Sequence, residues 1–263
     1  MIKFEYKNEI PVAAHRGNAK YFPENTIISF KSALELNPDM IETDVHITKD
    51  GELVLIHDHN ALRTAGVDKK IRDMTLEEVK ALDVGSWKGK EFKGEKVPTF
   101  KEFLELCKDN KEILFNIEFK DYPGEIGELA YISADKTIAL MEQYGIAERS
   151  VINSFSGELL EYIDEKYKHK YRIHAYHPLT LLGNNLSKDP YEYSYCMCLF
   201  NHGIVSSKEN FDEVKSHDVE TWVYYSEDDE KLYDESLKNG AVAFTSNDPK
   251  KAIEILRAKG LHK

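Results

Sequence analysis

Two carboxylates stand two residues apart in an otherwise apolar segment. Glu42 and Asp44 lie in the segment 40–47, and Glu118 lies in a second apolar segment at 112–120. If both segments are strands, the i, i+2 spacing places Glu42 and Asp44 on one face of the sheet. Burying carboxylates side by side is unfavourable unless a cation offsets their repulsion. Three carboxylates on adjacent strands therefore indicate a hard divalent cation with oxygen ligands, Ca²⁺ or Mg²⁺, rather than zinc.

Four basic side chains end predicted strands and could act on a phosphoryl group. His15 and His57 each close an apolar run, where an imidazole beside the cation can serve as general acid or base near neutral pH. Arg16 follows His15, and Lys120 lies two residues beyond Glu118. Arginine holds phosphoryl oxygens as a bidentate fork and lysine holds them as a point charge.

Short β-rich segments alternate with amphipathic helical segments along the chain. Strands are predicted at 11–15, 40–47, 52–58, 112–120, 149–155, 171–176, 194–200, 219–225 and 241–246, and helices at 24–36, 99–109, 127–144, 156–168, 208–217, 227–240 and 248–260. Such alternation predicts a parallel sheet. Eight strand–helix units favour an α/β fold, a (β/α)8 TIM barrel, in one domain spanning residues 1–263. In that fold the carboxyl ends of the strands form the catalytic face, which is where the charged residues above lie.

The segment 58–98 interrupts this rhythm. It is rich in glycine and contains one short predicted helix at 75–82. The Asp50–Gly51 turn before it predicts a hairpin between 40–47 and 52–58. We therefore place the segment as an insertion on the second βα loop, where it should overhang the catalytic face.

Composition limits the partners of the chain. The 263 residues are 41% hydrophobic and 31% charged, with a net charge of −12. So acidic a surface repels nucleic acid and anionic membranes, and neither is an expected partner. An anionic small-molecule substrate would need a local reversal of the field, which a bound divalent cation supplies.

Cysteine usage and hydropathy point to a cytoplasmic protein. The three cysteines form no CxxC pair, which argues against a disulfide framework and a zinc site, and Cys196 and Cys198 are expected to be buried strand thiols. The first ten residues lack the apolar run of a signal peptide. No stretch approaches the roughly 20 apolar residues that span a bilayer. We expect no stable membrane association, and a monomer or a homodimer.

Five short motifs resemble the signature of the glycerophosphodiester phosphodiesterase family. They are HRG at 15–17, PENT at 23–26, ETDV at 42–45, HD at 57–58 and IEFK at 117–120. Their order and spacing agree with the family, and weaker similarities at Ser154-Phe155, Trp222 and 247–249 extend the resemblance over nearly the whole chain. The combination is specific, whereas any one motif alone would be weak.

The resemblance implies metal-dependent hydrolysis of a glycerophosphodiester to glycerol 3-phosphate and an alcohol. By the resemblance, Glu42, Asp44 and Glu118 are metal ligands, His15 and His57 are the acid/base pair, and Arg16, Lys120 and Trp222 bind substrate. Which histidine is the base, and whether water or a hydroxyl of the substrate attacks, stays open. Trp222 could equally lie in the core.

Some residues depart from the family pattern or have no place in a motif. Tyr225 ends a strand where the family commonly has asparagine, and His174, Tyr176 and His177 replace apolar residues. The last strand ends in Thr245-Ser246-Asn247 rather than the commoner Thr-Asp. We place these residues on the pocket rim, where they would affect the choice of alcohol.

Other residues near the motifs are assigned supporting roles. We expect His46 to pack at the rim rather than to bind metal. Glu24 and Asn25 are expected to cap the first helix and brace the HRG loop.

Two other functions are compatible with the same residues. A lysophospholipase D type activity would require an apolar groove near 58–98, for which only Trp87 and Phe92 are candidates. A non-catalytic barrel that binds a phospho-ligand would typically have lost a histidine or a metal carboxylate, and none is missing.

Overall fold

Nine strands define the architecture of the computed structural model, which describes residues 3–184, 186–199 and 207–263. The strands are β1 (Val12–Ala14), β2 (Met40–Ile47), β3 (Leu53–Leu55), β4 (Leu114–Phe119), β5 (Ser150–Asn153), β6 (Arg172–His177), β7 (Ser194–Leu199), β8 (Glu220–Tyr225) and β9 (Ala243–Ser246). All but β3 are parallel and follow one another in the order β1-β9-β8-β7-β6-β5-β4-β2, and β2 pairs again with β1. The sheet is therefore a closed eight-stranded barrel, as predicted. Phe200, the predicted end of β7, lies outside the described residues.

The predicted hairpin is also present. β3 runs antiparallel to β2, with Val45 opposite Leu55. Gly51 has a φ of +85°, a left-handed conformation that glycine adopts without steric cost, and the Thr48 hydroxyl donates to Asp50 Oδ1 at 2.6 Å across the turn.

Helices cover the outside of the barrel. They are α1 (Ile27–Glu35), α2 (Leu62–Ala65), α3 (Leu76–Ala81), α4 (Phe100–Cys107), α5 (Pro123–Ile126), α6 (Glu128–Gln143), α7 (Gly157–Lys166), α8 (Lys208–Ser216), α9 (Glu230–Asn239) and α10 (Pro249–Ala258). The prediction of eight strand–helix units is corrected at one place. Between β6 and β7 the described residues form only two 3-10 turns, Leu179–Leu182 and Pro190–Glu192. Gly183, whose φ of +92° lies in the left-handed region, ends the first of these turns.

Local sequence explains where α4 begins and which face it buries. Thr99 and Glu102 form a reciprocal capping box at its start. Apolar residues at helical spacing then pack against the barrel. The buried residues of α4 are Phe100, Phe103, Leu104 and Cys107.

Two layers of side chains fill the barrel. The lower layer is mainly apolar and includes Ala13, Met40, Val151, Cys196, Trp222 and Ala243. Because strand side chains alternate in direction, the residue two positions further on points to the same side, one step nearer the carboxyl end. Those residues are His15, Glu42, Asn153, Cys198, Tyr224 and Thr245, and all six line one cavity. The apolar layer therefore supports a polar cavity at the carboxyl ends of the strands.

The segment after β3 has a small apolar cluster of its own. The buried members are Val54, Ile56, Ala61, Ile71, Met74, Val79, Leu82, Val84 and Val97. Two contacts tie it to the loop after β1: Arg63 pairs with Glu24 at 2.7 Å, and Lys88 Nζ donates to Ala19 O at 2.6 Å. This part of the chain thus lies beside the carboxyl end of β1.

All three cysteines are free and buried, as predicted for Cys196 and Cys198. Among the described residues, no helix has both the length and the apolar character needed to cross a membrane.

Candidate active site

A cavity of about 250 Å³ opens at the carboxyl ends of the barrel strands. Its lining residues are His15, Arg16, Glu42, His57, Asn116, Glu118, Asn153, Phe155, His174, Tyr176, Cys198, Tyr224 and Thr245. A larger groove of about 660 Å³ lies at the opposite end of the barrel, beside Asp39 and Arg172, and contains none of the predicted site residues. The smaller cavity is the candidate site because charged side chains from several strands meet there.

Glu42, Asp44 and Glu118 converge as the sequence predicts. The register pairs Asp44 with Glu118 across β2 and β4, and one carboxylate oxygen from each of the three residues lies within 4.8 Å of the others. All three side chains are buried. Glu42 Oε1 and Asp44 Oδ1 accept no hydrogen bond. Buried anionic oxygens without donors fit a divalent cation, and an all-oxygen set suits Ca²⁺ or Mg²⁺.

Three further oxygens of the cluster, one on each carboxylate, accept hydrogen bonds from the protein. Glu42 Oε2 accepts from the backbone N–H of Arg16 at 2.8 Å. Asp44 Oδ2 accepts from Asn25 Nδ2 at 2.7 Å. Glu118 Oε1 accepts from Lys120 Nζ at 2.7 Å. Each carboxylate is thus oriented by one donor from the protein.

The electrostatics of the cluster favour an added positive charge. Burial and the neighbouring Asp44 charge raise the pKa of Glu42 well above its ordinary range. Burial alone would also raise the pKa of Asp44, but Arg16, His57 and Lys120 outweigh it and lower that pKa. The cations already present therefore stabilise the charge of Asp44 but leave Glu42 insufficiently neutralised.

His15 faces the cluster from β1. Its Nε2 lies 3.8 Å from Glu42 Oε2, and its Nδ1 lies 2.6 Å from Asn247 Oδ1. The amide oxygen of Asn247 is an acceptor, so Nδ1 carries the proton and Nε2 presents its lone pair. Burial and the Arg16 guanidinium lower the pKa of His15 to about 3, and the ring is neutral at physiological pH.

His57 lines the same cavity from the segment that follows β3. Its Nδ1 lies 2.6 Å from Asp58 Oδ1, and Asp58 Oδ2 accepts from Arg63 Nε at 2.6 Å. Arg63 also donates to Glu24, which pairs with Arg16 at 3.0 Å. A chain of ion pairs therefore fixes the ring of His57 relative to the HRG loop. Asp58 belongs to the HD motif, but the sequence indicates no role for it. The sequence gives no signal for Arg63.

The two predicted phosphate-binding cations lie next to the carboxylates. Arg16 Nε is 3.2 Å from Asp44 Oδ2, and its side chain lines the cavity. Lys120 Nζ is 3.8 Å from Asp44 Oδ1 and lines a shallow depression that it shares with His57 and Arg63. Lys120 thus stands at the edge of the main cavity rather than inside it.

Three expectations about supporting residues are resolved by the structure. Thr26, and neither Glu24 nor Asn25, caps α1, because its hydroxyl oxygen accepts from the backbone N–H of Ser29. Asn25 does brace the HRG loop, since its backbone N–H donates to Arg16 O. His46 is buried between Asp121 Oδ1, at 2.9 Å, and the backbone oxygen of His57, which agrees with a packing role.

Two aromatic positions differ from expectation. Trp222 has no exposed surface, does not line the cavity, and donates from Nε1 to Glu220 Oε2 at 3.1 Å. The prediction that Trp222 contacts substrate is therefore corrected: it belongs to the apolar layer below. Tyr224, two residues on, lines the cavity instead, with its ring 4.7 Å from that of His15. His174, expected on the rim, lies at the inner end of the cavity directly above Trp222, at a ring distance of 5.1 Å.

Several known proteins resemble this chain in sequence or in fold. A glycerophosphodiester phosphodiesterase of Caldanaerobacter subterraneus is 46% identical over 149 residues, which cover 55% of this chain and 58% of that relative. The chain thus matches less than two thirds of that relative's length.

Solved structures share the fold over nearly the full chain. An Oleispira antarctica phosphodiesterase, solved in complex with the product sn-glycerol-3-phosphate, has a TM-score of 0.78 at 23% identity and covers 94% of this chain and 96% of its own. A glycerophosphodiester phosphodiesterase of Parabacteroides distasonis has a TM-score of 0.75 at 23% identity and covers 97% and 99%. At that identity the likeness establishes the barrel alone. Sequence decides the family: residues 15–251 match the model of the glycerophosphoryl diester phosphodiesterase family, and the chain belongs to that family.

Proposed function

We propose that the protein hydrolyses glycerophosphodiesters to glycerol 3-phosphate and an alcohol, with one bound divalent cation, Ca²⁺ or Mg²⁺. The observation that carries the proposal is the buried cluster of Glu42, Asp44 and Glu118. Two of its oxygens accept no hydrogen bond, and Glu42 and Glu118 line the same cavity as His15 and His57. The named activity of the relatives and the glycerol phosphate product bound to the Oleispira protein agree with it.

Charge balance supports a phosphodiester as the substrate. When all three are ionised around a bound cation, the carboxylates carry three negative charges, and Arg16 and Lys120 supply two positive charges beside them. A divalent cation would bring the local charge to +1, which complements the single negative charge of a phosphodiester. The count covers only the groups in contact with the cluster; Glu24 and Asp58 share Arg63 further out.

Glu42, Asp44 and Glu118 would hold the cation, which when bound polarises the phosphoryl group and stabilises its developing charge. Arg16 and Lys120 bind the non-bridging oxygens of the phosphate. His15 and His57 transfer protons. The attacking oxygen, from water or from a neighbouring hydroxyl of the substrate, bonds to phosphorus and gives its proton to Nε2 of one histidine. The bond from phosphorus to the alcohol oxygen breaks, and that oxygen takes a proton from Nε2 of the other. Attack by the substrate's own hydroxyl gives a cyclic phosphate, which water then opens to glycerol 3-phosphate in a second step with the two histidines exchanging roles.

The decisive experiment measures release of glycerol 3-phosphate from glycerophosphocholine and glycerophosphoethanolamine. Protein stripped of metal with a chelator is assayed alone and after addition of Ca²⁺ or Mg²⁺. Release that returns with the cation is the expected result, and Glu42→Gln should lose it while the exposed Glu254→Gln should not. Folded protein that releases no glycerol 3-phosphate from either diester with either cation would contradict the proposal.

A lysophospholipase D type activity has less support. Leu62 and Trp87 are exposed on the segment after β3, but Arg63 and Lys88 lie over the Trp87 ring at 5.6 Å, and Phe92 packs on Phe22. Among the described residues these side chains do not form a continuous apolar groove leading to the cavity. A non-catalytic barrel is also disfavoured, because every predicted histidine and metal carboxylate is present.

A further inference from the structure

The backbone at His57 is held weakly by the rest of the main chain. On either side of it, Leu55 N–H and His59 O form backbone–backbone hydrogen bonds of 2.9 Å. Neither His57 nor Asp58 takes part in such a bond with the described part of the chain. Asp58 and Arg63 orient the His57 ring, but they do not hold the carbonyl group of His57. The position of that carbonyl group must therefore come from another side chain.

His46 supplies this contact. Its Nε2 lies 3.4 Å from His57 O, and its Nδ1 lies 2.9 Å from Asp121 Oδ1. Asp121 is fixed in turn, because its Oδ2 accepts from the backbone N–H of Ile47 at 2.7 Å and from the Ser133 hydroxyl at 2.6 Å. His46, Asp121 and Ser133 are all buried. The His46 ring is thus a bridge from the barrel wall to the backbone of His57.

The His46 side chain does not reach the substrate. It is 3% exposed and does not line the cavity that contains Glu42 and His57. Its ring packs against that of His59, with a ring distance of 4.9 Å. An effect of His46 on the reaction must therefore pass through the residues that its ring contacts.

We propose that His46 is a positioning residue for proton transfer by His57. Through Nε2 it fixes the carbonyl group of His57, and so the point from which the His57 ring reaches the phosphoryl group. The carbonyl oxygen and the Asp121 carboxylate are both acceptors, so each contact uses a ring N–H of His46. The inference rests on the proposed function, and it gives a role in that reaction to a residue that no motif includes.

Loss of the Nε2 contact should lower kcat more than it changes KM. His57 would still line the cavity, but its ring would spend less time within hydrogen-bond reach of the reacting oxygen. A misplacement of about 1 Å costs on the order of 100-fold in rate, whereas here Asp58 and Arg63 still restrain the ring. We therefore expect a loss of about tenfold in kcat, with KM within about twofold.

Asparagine and glutamine at position 46 separate the two contacts of the ring. The side-chain nitrogen of asparagine replaces Nδ1 and can donate to Asp121, but it is too short to reach His57 O. The nitrogen of glutamine replaces Nε2 and can donate to His57 O, but it leaves Asp121 Oδ1 without its donor. In a steady-state assay on glycerophosphocholine, His46→Asn should lose about tenfold in kcat and His46→Gln should stay within about threefold of the wild-type protein.

Stability should follow the opposite order. A buried carboxylate oxygen that loses its donor costs more than the gap that the shorter asparagine leaves, so His46→Gln should unfold at a lower urea concentration than His46→Asn. A merely structural role would make activity follow stability. Cation affinity measured by calorimetry should be unchanged in both variants, which separates an effect through His57 from one through Asp44 on the same strand.

His262 provides a matched control. It pairs with Asp39 at 2.9 Å and is as deeply buried as His46. Asp39 lines the groove at the opposite end of the barrel, so this pair is remote from the proposed reaction. His262→Asn and His262→Gln should change the urea midpoint and leave kcat unchanged.

The outcomes separate the two proposals. Folded wild-type protein that releases no glycerol 3-phosphate from glycerophosphocholine or glycerophosphoethanolamine refutes the proposed function. If that protein is active, equal losses of kcat in the two His46 variants, a larger loss in His46→Gln, or no loss in either refutes the positioning role and leaves the function standing. Weaker cation binding by His46→Asn has the same meaning. If His46→Asn does not fold, His46→Gln decides alone: a kcat within about threefold at a lowered urea midpoint supports the role, and a loss of about tenfold refutes it.

Discussion

Replacing Glu42 by glutamine should have opposite effects on the metal-free fold and on cation binding. The three carboxylate oxygens lie within 4.8 Å of one another. At that separation, and with an effective dielectric constant near 20, each ionised pair repels by roughly 3 kcal/mol. Glutamine keeps an oxygen that can accept from the Arg16 N–H, so the local backbone has no reason to move. The variant also loses attraction to Arg16, and the raised pKa of Glu42 lets the wild-type protein relieve part of the repulsion by binding a proton. We therefore expect a net gain of about 1–3 kcal/mol in the unfolding free energy of the metal-free protein.

The assay is urea unfolding with and without cation. In chelator, Glu42→Gln should unfold at a higher urea concentration than the wild-type protein, with an unchanged slope. At a cation concentration one hundred times the dissociation constant of the wild-type protein, that protein should gain about 2.7 kcal/mol. The variant should bind the cation at least tenfold more weakly and gain about half as much. Glu254→Gln, which removes an exposed carboxylate that pairs with Lys250 at 4.0 Å, should match the wild-type protein in both conditions.

Two results would refute this reasoning. If metal-free Glu42→Gln is less stable than the wild-type protein, the carboxylates do not repel one another and the cluster is held by Arg16 and Lys120 alone. If Glu42→Gln gains as much from the cation as the wild-type protein, Glu42 is not a ligand.

Three further predictions concern residues around the cluster. His15→Ala should lower kcat by at least about 100-fold in a steady-state assay, while calorimetry shows unchanged cation affinity, because in the proposed mechanism His15 transfers a proton and binds no metal. Arg63→Met should lower kcat about tenfold with a smaller change in KM, because it releases Asp58 and with it the orientation of His57; equal kcat values would remove the ion-pair chain from the mechanism. The unfolding free energy of the wild-type protein should fall faster below pH 6.5 than that of His174→Gln. The pKa of His174 is lowered in the fold, so the unfolded chain binds the proton first and acid favours unfolding. The difference should be about 2 kcal/mol at pH 5, measured by denaturant titration, and parallel pH profiles would contradict it.

The convergence of Glu42, Asp44 and Glu118 could be predicted because its signals are local. The i, i+2 spacing of Glu42 and Asp44 fixes a common face in any strand, and a parallel barrel brings the carboxyl ends of all its strands together. Neither inference requires knowledge of how far along the barrel axis a residue lies. The family resemblance then assigned roles that spacing alone left open.

The sequence did not reveal how far along the barrel axis each side chain lies. Trp222 and Tyr224 point to the same side of β8, and nothing in their types says which one reaches the cavity. The register with β9 does say it, because Trp222 lies opposite Ala243 of the apolar layer and Tyr224 lies opposite the cavity-lining Thr245. His174 was placed on the rim for the same reason, although it lies in the middle of β6 and not at its end. Asp58, Arg63 and Asn247 orient the two histidines through contacts made only by the folded chain.

The HRG motif depends on a backbone turn as well as on its side chains. Arg16 has a φ of +55° and Gly17 a φ of +86°, so the chain turns through the left-handed region directly after His15. A Cβ on Gly17 would lie 2.7 Å from the carbonyl carbon of Ser29 in α1, a separation that only glycine avoids. This turn directs the backbone N–H of Arg16 to Glu42 and its guanidinium to Asp44, while the His15 ring remains in the cavity. Gly17 itself takes no part in the proposed reaction, but the turn that it permits lets His15 line the cavity while Arg16 contacts both Glu42 and Asp44.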